Sequence, residues 1–291
     1  MFNKIYLIRK RALGDVLWVE PLFREICKKG KEVVFYTKNP ELFENHPCQN
    51  LKVRSKLSLI EKIYCTLFDF LGFKGLVINL DMSYENNPKS HILSAYCQRA
   101  GIAAIEQYPR LYLSQKELAM YPEVKSKSVV LHLESFTDKN YRKVYGIDWA
   151  TITQKLKADG YQVYLIGKNP ITIEGAQFIQ TTIREMIALI NKCSIFIGID
   201  SGPSHLAASL NKPSILFFGA VNPKYRHFDA LFNGIIMQGK CEFQNCYHDT
   251  ISITGPVCKV VGAMGIPPCS NHDTNTLIKN IDKLVTEKVA I

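Results

Sequence analysis

The sequence predicts an α/β fold built of two successive Rossmann-like halves that face each other. Three observations carry that prediction. A β-α-β pattern opens the chain, a second such series begins at Ser128, and a charged stretch from Ser114 to Lys127, containing Pro122, lies where a connection would run. The 291 residues are 47 % hydrophobic, which suffices for two ordinary cores, and the 21 % that are charged are scattered in both signs, which excludes disordered and collagen-like chains.

In order, Lys4 to Arg9 reads as a strand, Arg11-Ala12-Leu13-Gly14-Asp15 as its turn, and Val16, Val19, Phe23 and Ile26 as one face of a helix that stops near Gly30. Val33 to Thr37 completes the unit from which parallel sheets are assembled. Leu57 to Phe73 is mostly helical in pattern, and Leu76 to Leu80 is an apolar strand running into Asp81. The polar loop Ser83 to Ser90 follows, then a helix through His91, Leu93, Tyr96 and Cys97, and Arg110 to Leu113 is expected to close this half.

In the second half, strand 128–133 precedes helix 148–159, which ends at Gly160, and strand 161–166 ends at Gly167. After a brief strand near Phe178, Thr182 with Glu185 three positions on has the form of a capping box and opens a helix ending near Asn191. Strand 194–199, a short helix from Ser204 to Leu210, and strand 214–218 follow. Leu277, Ile278, Ile281 and Leu284 mark a terminal helix from Thr274 to Val289. The expected boundaries are 1–120 and 121–274 for the two domains and 275–291 for the terminal helix.

The formal charge of +10 favours anionic partners: nucleic acid, phosphorylated glycolipid or an anionic membrane surface. The densest basic pieces are only Arg9-Lys10-Arg11 and Lys28-Lys29-Gly30-Lys31, so no specific nucleic-acid partner is expected. No stretch approaches about eighteen uninterrupted apolar residues, and the opening residues run in the wrong order for a secretory leader. Residence in the cytoplasm is therefore expected, with peripheral contact with the inner membrane open to a basic chain.

Two turns at strand ends carry the chemistry. Gly14-Asp15 lies where the first strand meets its helix, the usual ligand crevice of open parallel sheets. Gly14 permits close approach or positive φ, and Asp15 there serves either as a fixed base for a hydroxyl nucleophile or as an ordinary N-cap. Later, Asp200-Ser201-Gly202-Pro203-Ser204-His205 ends a strand and opens a helix, so backbone N–H groups can hold phosphate, although Pro203 has none to give. Asp200 suits a ribose or sugar hydroxyl and His205 a phosphate oxygen, while a capped helix with a satisfied histidine explains the same residues. Lys139, in the polar loop Phe136 to Arg142, can offset charge on a departing diphosphate or stand as a solvated cation, and Glu174 is a weaker ribose ligand. GxxxxGK[ST] and GxGxxG are both absent, which removes support for P-loop hydrolysis and dinucleotide oxidoreduction.

With these residues the chain resembles the glycosyltransferase family that includes the lipopolysaccharide heptosyltransferases. GDVLWVEPLFREI resembles the family's Gly-Asp segment, and DSGPSHLAASLNKPSILFFGAVNP its nucleotide-diphosphate motif with the downstream Pro-strand-Phe-Gly-x-x-x-Pro pattern. The resemblance implies a GT-B type fold with the last helix crossing back to the first domain. It implies Asp15 as catalytic base, Gly14, Asp200, Ser201, Gly202, Ser204 and His205 as donor-binding, and Lys139, in Asp138-Lys139-Asn140-Tyr141, on donor phosphate. Glu174 lies where some members have an acidic donor ligand. The loop Asp81 to Ser90 departs from the family's common segment, so the acceptor transfers least well. The implied activity is inverting transfer of a heptose-like sugar, with ADP-heptose the preferred donor and lipopolysaccharide core the preferred acceptor. No cofactor is required for that step. A protein acceptor such as an autotransporter, a sugar-nucleotide epimerase, or an inactive anion-binding protein on the same scaffold are the alternatives.

Of nine cysteines, Cys241, Cys246, Cys258 and Cys269 fall in one late Gly/Pro-rich segment. Four thiolates can make a tetrahedral iron or zinc site of structural kind, though the spacing is not that of two CxxC pairs. Disulfides fit poorly with a reducing compartment, and free thiols remain open. Relatives that glycosylate autotransporters bind iron through late cysteines, which this cluster resembles.

Overall fold

The computed structural model describes residues 4–73, 75–135, 138–249 and 257–289, so Phe136 and Thr137 of the expected cleft loop and the last two residues of the terminal segment lie outside it. The chain forms two compact units, Met1–Ser114 with Lys224–Leu231 and Gln115–Pro223 with Phe232–Ile291. Each is an α/β unit around a parallel sheet, as the alternating pattern predicts.

The first unit contains β1 (Lys4–Ile8), α1 (Leu13–Leu17), α2 (Glu20–Lys28), β2 (Glu32–Tyr36), β3 (Leu51–Arg54), α3 (Leu59–Phe70), β4 (Val77–Asn79) and α4 (Ile92–Ala100). The strands lie in the order β3-β2-β1-β4, all parallel. Central strands covered on both faces must be apolar throughout, which is why Leu7, Val33 and Phe35 are fully buried, with the Phe23 ring 5.9 Å from that of Phe35. The single helix expected from Val16 to Ile26 is two, because Pro21 in the first turn of α2 cannot donate back to the preceding turn. β3 was not anticipated: an edge strand alternating half-buried and exposed residues, Leu51-Lys52-Val53-Arg54, has a weak apolar signal. Arg110 to Leu113 forms no regular element.

The second unit contains α5 (Gln115–Leu118), β5 (Ser128–His132), α6 (Trp149–Ala158), β6 (Gln162–Ile166), β7 (Gln177–Ile179), α7 (Ile183–Lys192), β8 (Ile195–Ile199), α8 (Gly202–Ser209), β9 (Ser214–Phe218), β10 (Gly234–Gln238) and α9 (Thr274–Val289). Its sheet runs β10-β9-β8-β5-β6-β7. The reciprocal hydrogen bonds of the Thr182–Glu185 capping box open α7 as expected.

Two boundaries differ from expectation. The terminal helix was expected to cross back to the first domain, but α9 is part of the second unit, where Leu277, Ile281 and Leu284 enter the core at three- and four-residue intervals. It is Lys224–Leu231, assigned by pattern to the second domain, that joins the first unit, because the Phe228 ring stacks on His91 at 4.0 Å and meets Trp18 edge-on at 5.7 Å.

Candidate active site

Asp15 sits in the first turn of α1 behind Ala12, whose φ of 66° is left-handed. The strained backbone is therefore at Ala12, and Gly14 is simply a buried helical residue. Asp15 does not cap the helix, since no side-chain hydrogen bond caps α1. Its carboxylate is held instead by two side chains from other segments, Arg9 and Tyr84. Arg9, at the end of β1 and only 5 % exposed, pairs through Nη2 with Asp15 Oδ2 and with Glu85 Oε1 at 2.9 Å, and its Nη1 donates to the Leu80 carbonyl at 3.3 Å. The Tyr84 hydroxyl donates to the same Asp15 oxygen at 3.1 Å, and Tyr96 donates to the Asp15 carbonyl at 3.2 Å. Burial, reinforced by the Asp15 charge, holds the Tyr84 phenol well above its ordinary value, so it stays a donor. The Arg226 guanidinium lies 5.1 Å over the Tyr84 ring. Both of these donors go to Oδ2, and Oδ1 has no partner among the described residues.

In the second unit Asp200 ends β8 and is buried, and Ser201, Gly202, Ser204 and His205 open α8. The amides expected to be open are mostly taken. Ser201 N–H donates to Ser204 Oγ at 3.3 Å, and Ser204 N–H donates to the Ser201 carbonyl at 3.1 Å, as His205 N–H does at 3.5 Å. Pro203 has no N–H, which leaves Gly202 as the open amide of the turn among the described residues. Ser201 Oγ turns to His132 Nδ1, 3.1 Å away at the end of β5, and donates to the Ile199 carbonyl, so the imidazole N–H is the donor to Oγ. Burial pushes His132 down to about 4, which keeps it neutral. His205 is buried on α8.

Lys139 is half-buried and immediately precedes the turn Asn140–Arg142, and Arg142 Nη1 donates to the Asp200 carbonyl at 3.3 Å. The Lys139 loop and the Asp200 turn thus meet, through Arg142, around a small pocket also lined by Tyr141, Phe217 and Gly219. A Cβ on Gly219 would stand 1.8 Å from the Tyr141 carbonyl oxygen, so only glycine admits this turn against the end of β9. Glu174 is not brought to this group. It is exposed before β7, and the loop after β6 is held by another carboxylate, Glu134, which accepts from the amides of Lys168 at 2.5 Å and Asn169 at 3.2 Å. Burial opposes ionisation of Glu134, but those hydrogen bonds carry it below the usual range. Sequence reading missed Arg9, Tyr84, Glu85, Arg142, His132 and Glu134. The one available signal was a run of charge, Arg9-Lys10-Arg11, ending an apolar strand.

The late cysteines converge. Cys246 and Cys269 share a buried cluster with Tyr141 and Ala220, and Cys241 packs against it. After burial, the other cysteines, Cys241, Cys246 and Cys258, help push Cys269 up to about 11. Among the described residues, however, no group of three or more His, Cys, Asp or Glu side chains is arranged to hold a metal ion.

A family model, glycosyltransferase family 9 (heptosyltransferase), matches residues 89–237, just over half of the chain. The chain belongs to that family. Family 9 relatives share local sequence with it: lipopolysaccharide heptosyltransferase 1 of Campylobacter coli is 47 % identical over 60 residues, which is 20 % of this chain and only 17 % of that relative's length. Across the whole chain the likeness is one of fold. TibC of enterotoxigenic E. coli, an iron-containing dodecameric glycosyltransferase, superposes with a TM-score of 0.75 at 17 % identity, covering 99 % of this chain and 80 % of TibC. TibC has also been solved in complex with ADP-D-β-D-heptose. The E. coli ADP-heptose lipopolysaccharide heptosyltransferase II gives a TM-score of 0.64 at 14 % identity, covering 98 % and 99 % of the two chains. The fold is thus that of the GT-B type heptosyltransferases.

Proposed function

We propose that this chain is an inverting glycosyltransferase that moves a heptose-like sugar from ADP-heptose to an acceptor hydroxyl, with lipopolysaccharide core as the acceptor class. The observation that carries the reading is the Asp15 carboxylate, fixed through Oδ2 and open at Oδ1. In the proposed step the acceptor oxygen attacks the anomeric carbon while Oδ1 takes its proton. The bond from that carbon to the diphosphate oxygen breaks on the opposite face, and the nucleoside diphosphate leaves with the electron pair. Lys139, Arg142 and the Gly202 amide offset the charge that develops there, and Asp200 and His205 complete the donor grip. Side-chain cations make a metal unnecessary for this charge. Glu174 has the weakest support as a donor ligand, because the residues at its end of the sheet are organised around Glu134.

The family match supports the reaction class, and the ADP-heptose complex of TibC supports the donor. Purified protein incubated with ADP-heptose and lipopolysaccharide core should release ADP and add one heptose to the acceptor by mass. Absence of ADP-heptose binding would sink the reading.

The four late cysteines suit a structural iron or zinc by donor chemistry, and since they are not arranged around an ion here, their sulfurs would have to draw together on binding. A metal there would cross-link the segment between β10 and α9, and no step of transfer passes through it. Elemental analysis of wild type against Cys246→Ser tests this, and equal metal content in both would remove the site.

A further inference from the structure

The helix α3 carries apolar side chains both on its covered face and on an arc that faces away from the core. Tyr64, Cys65 and Phe68 pack against the first core, while Leu59, Ile60, Ile63, Leu67 and Phe70 are 49 to 87 % exposed, joined by Phe73 just beyond the helix. At 100° per residue the five helical positions fall within an arc of about 100°. Isolated exposed apolar residues are ordinary, whereas a continuous stripe of protruding ones marks an interaction surface.

The charges around the stripe indicate what covers it. Both carboxylates of the helix are engaged, Glu61 with Arg54 at 2.9 Å and Asp69 with Arg99 at 2.7 Å. Lys56 and Lys62 are exposed and make no ion pair among the described residues. Residues 51–73 carry the cations Lys52, Arg54, Lys56 and Lys62 against only those two carboxylates. At the far end of α3, Asp69 also accepts from Asn79 at 2.9 Å. Asn79 and Arg99 line a polar pocket of about 400 Å³ with Asp81, Ser83, Asn86 and Gln98, and the Ser83 hydroxyl is buried there with no partner.

We propose that α3 is the face by which this protein docks on an anionic lipid bilayer. The apolar arc enters the acyl boundary, the lysines meet lipid phosphates, and the polar pocket beside the helix stands at headgroup level. No helix among the described residues is long and apolar enough to cross a membrane, so this attachment is peripheral. The inference does not depend on the donor or acceptor proposed above.

The test is sedimentation of the purified full chain with vesicles of phosphatidylcholine alone or mixed with phosphatidylglycerol. Wild type should bind the anionic vesicles. The pair Ile60→Gln and Phe70→Gln should weaken binding about tenfold or more, and Lys56→Glu with Lys62→Glu should remove the preference for anionic lipid. These side chains are exposed, so the thermal midpoint should not move. Wild type that ignores both vesicle types, or apolar variants that bind as wild type does, overturns the proposal. Loss in those variants of a self-associated species, without any vesicle binding in wild type, assigns the face to a second copy instead.

Discussion

Arg9→Met removes a cation that pairs with both Asp15 and Glu85. Arg9 is 5 % exposed and its two partners 14 and 15 %, so the group is screened by little water. At an effective dielectric near 20, two unit charges about 3 Å apart attract by roughly 5 kcal/mol, and desolvation of the guanidinium cancels part of that. The variant also leaves two neighbouring carboxylates facing each other and the Leu80 carbonyl without its donor. The expected loss is about 3–5 kcal/mol at pH 7, as for other broken buried pairs. The assay is urea unfolding followed by fluorescence in a Trp149→Phe background. The chain has two tryptophans, and Trp18, fully buried in the first unit, then reports that unit alone. A loss under about 1 kcal/mol would refute the reasoning.

Three further outcomes are expected. Asp15→Asn keeps the shape and the Tyr84 contact but not the basicity, so ADP-heptose affinity should hold within a few-fold while transfer falls about 10²- to 10⁴-fold; equal losses in both would remove the base role. Gly219→Ala drives a methyl into the Tyr141 carbonyl, so it should destabilise the second unit by about 1–3 kcal/mol and weaken donor binding by displacing the turn that carries Arg142. Calorimetric titration with ADP checks the second half of that statement. The imidazoles of His132 and His272, pushed down to about 4 by burial, and of His91, pushed down to about 3 by burial and then Arg226, should show no NMR titration above pH 5. Because the unfolded chain binds these protons first, stability is full above about pH 6.5 and declines as the pH falls toward 4, by up to about 1.4 kcal/mol per histidine for each pH unit.

The parallel sheets were legible because their strands are nearly continuous apolar runs between helix-period segments, and α7 because its cap is local. β3 was not: an edge strand of four residues, half exposed, alternates too briefly to separate from a loop. The division of the chain at Lys224–Leu231 was hidden for a different reason. Nothing in the local pattern says that His227 and Phe228 find Tyr108, His91 and Trp18, which lie more than a hundred residues earlier. The same holds for Asp15. Its position in the motif was readable, but its partner Tyr84, and Glu85, which shares Arg9 with it, come from the loop that departs from the family's common segment.

At the proposed donor end, a helix start alone is weak support for phosphate binding. A strand followed by Asp-Ser-Gly-Pro-Ser suggests a row of unpaired amides, yet a serine three residues past an N-cap serine can satisfy them from within, as Ser204 does for Ser201. One open amide does not offset the charge of a diphosphate. The charge then has to be met by side chains, and those the fold brings to the turn come from the loop after β5, with Arg142 anchored on the Asp200 carbonyl. It follows that Arg142→Gln should cost more donor affinity than Lys139→Gln, because the anchored guanidinium loses less entropy on gripping phosphate than a half-exposed ammonium does. Titrating both variants with ADP decides the point, and a larger loss from Lys139→Gln would return the main phosphate contact to the lysine.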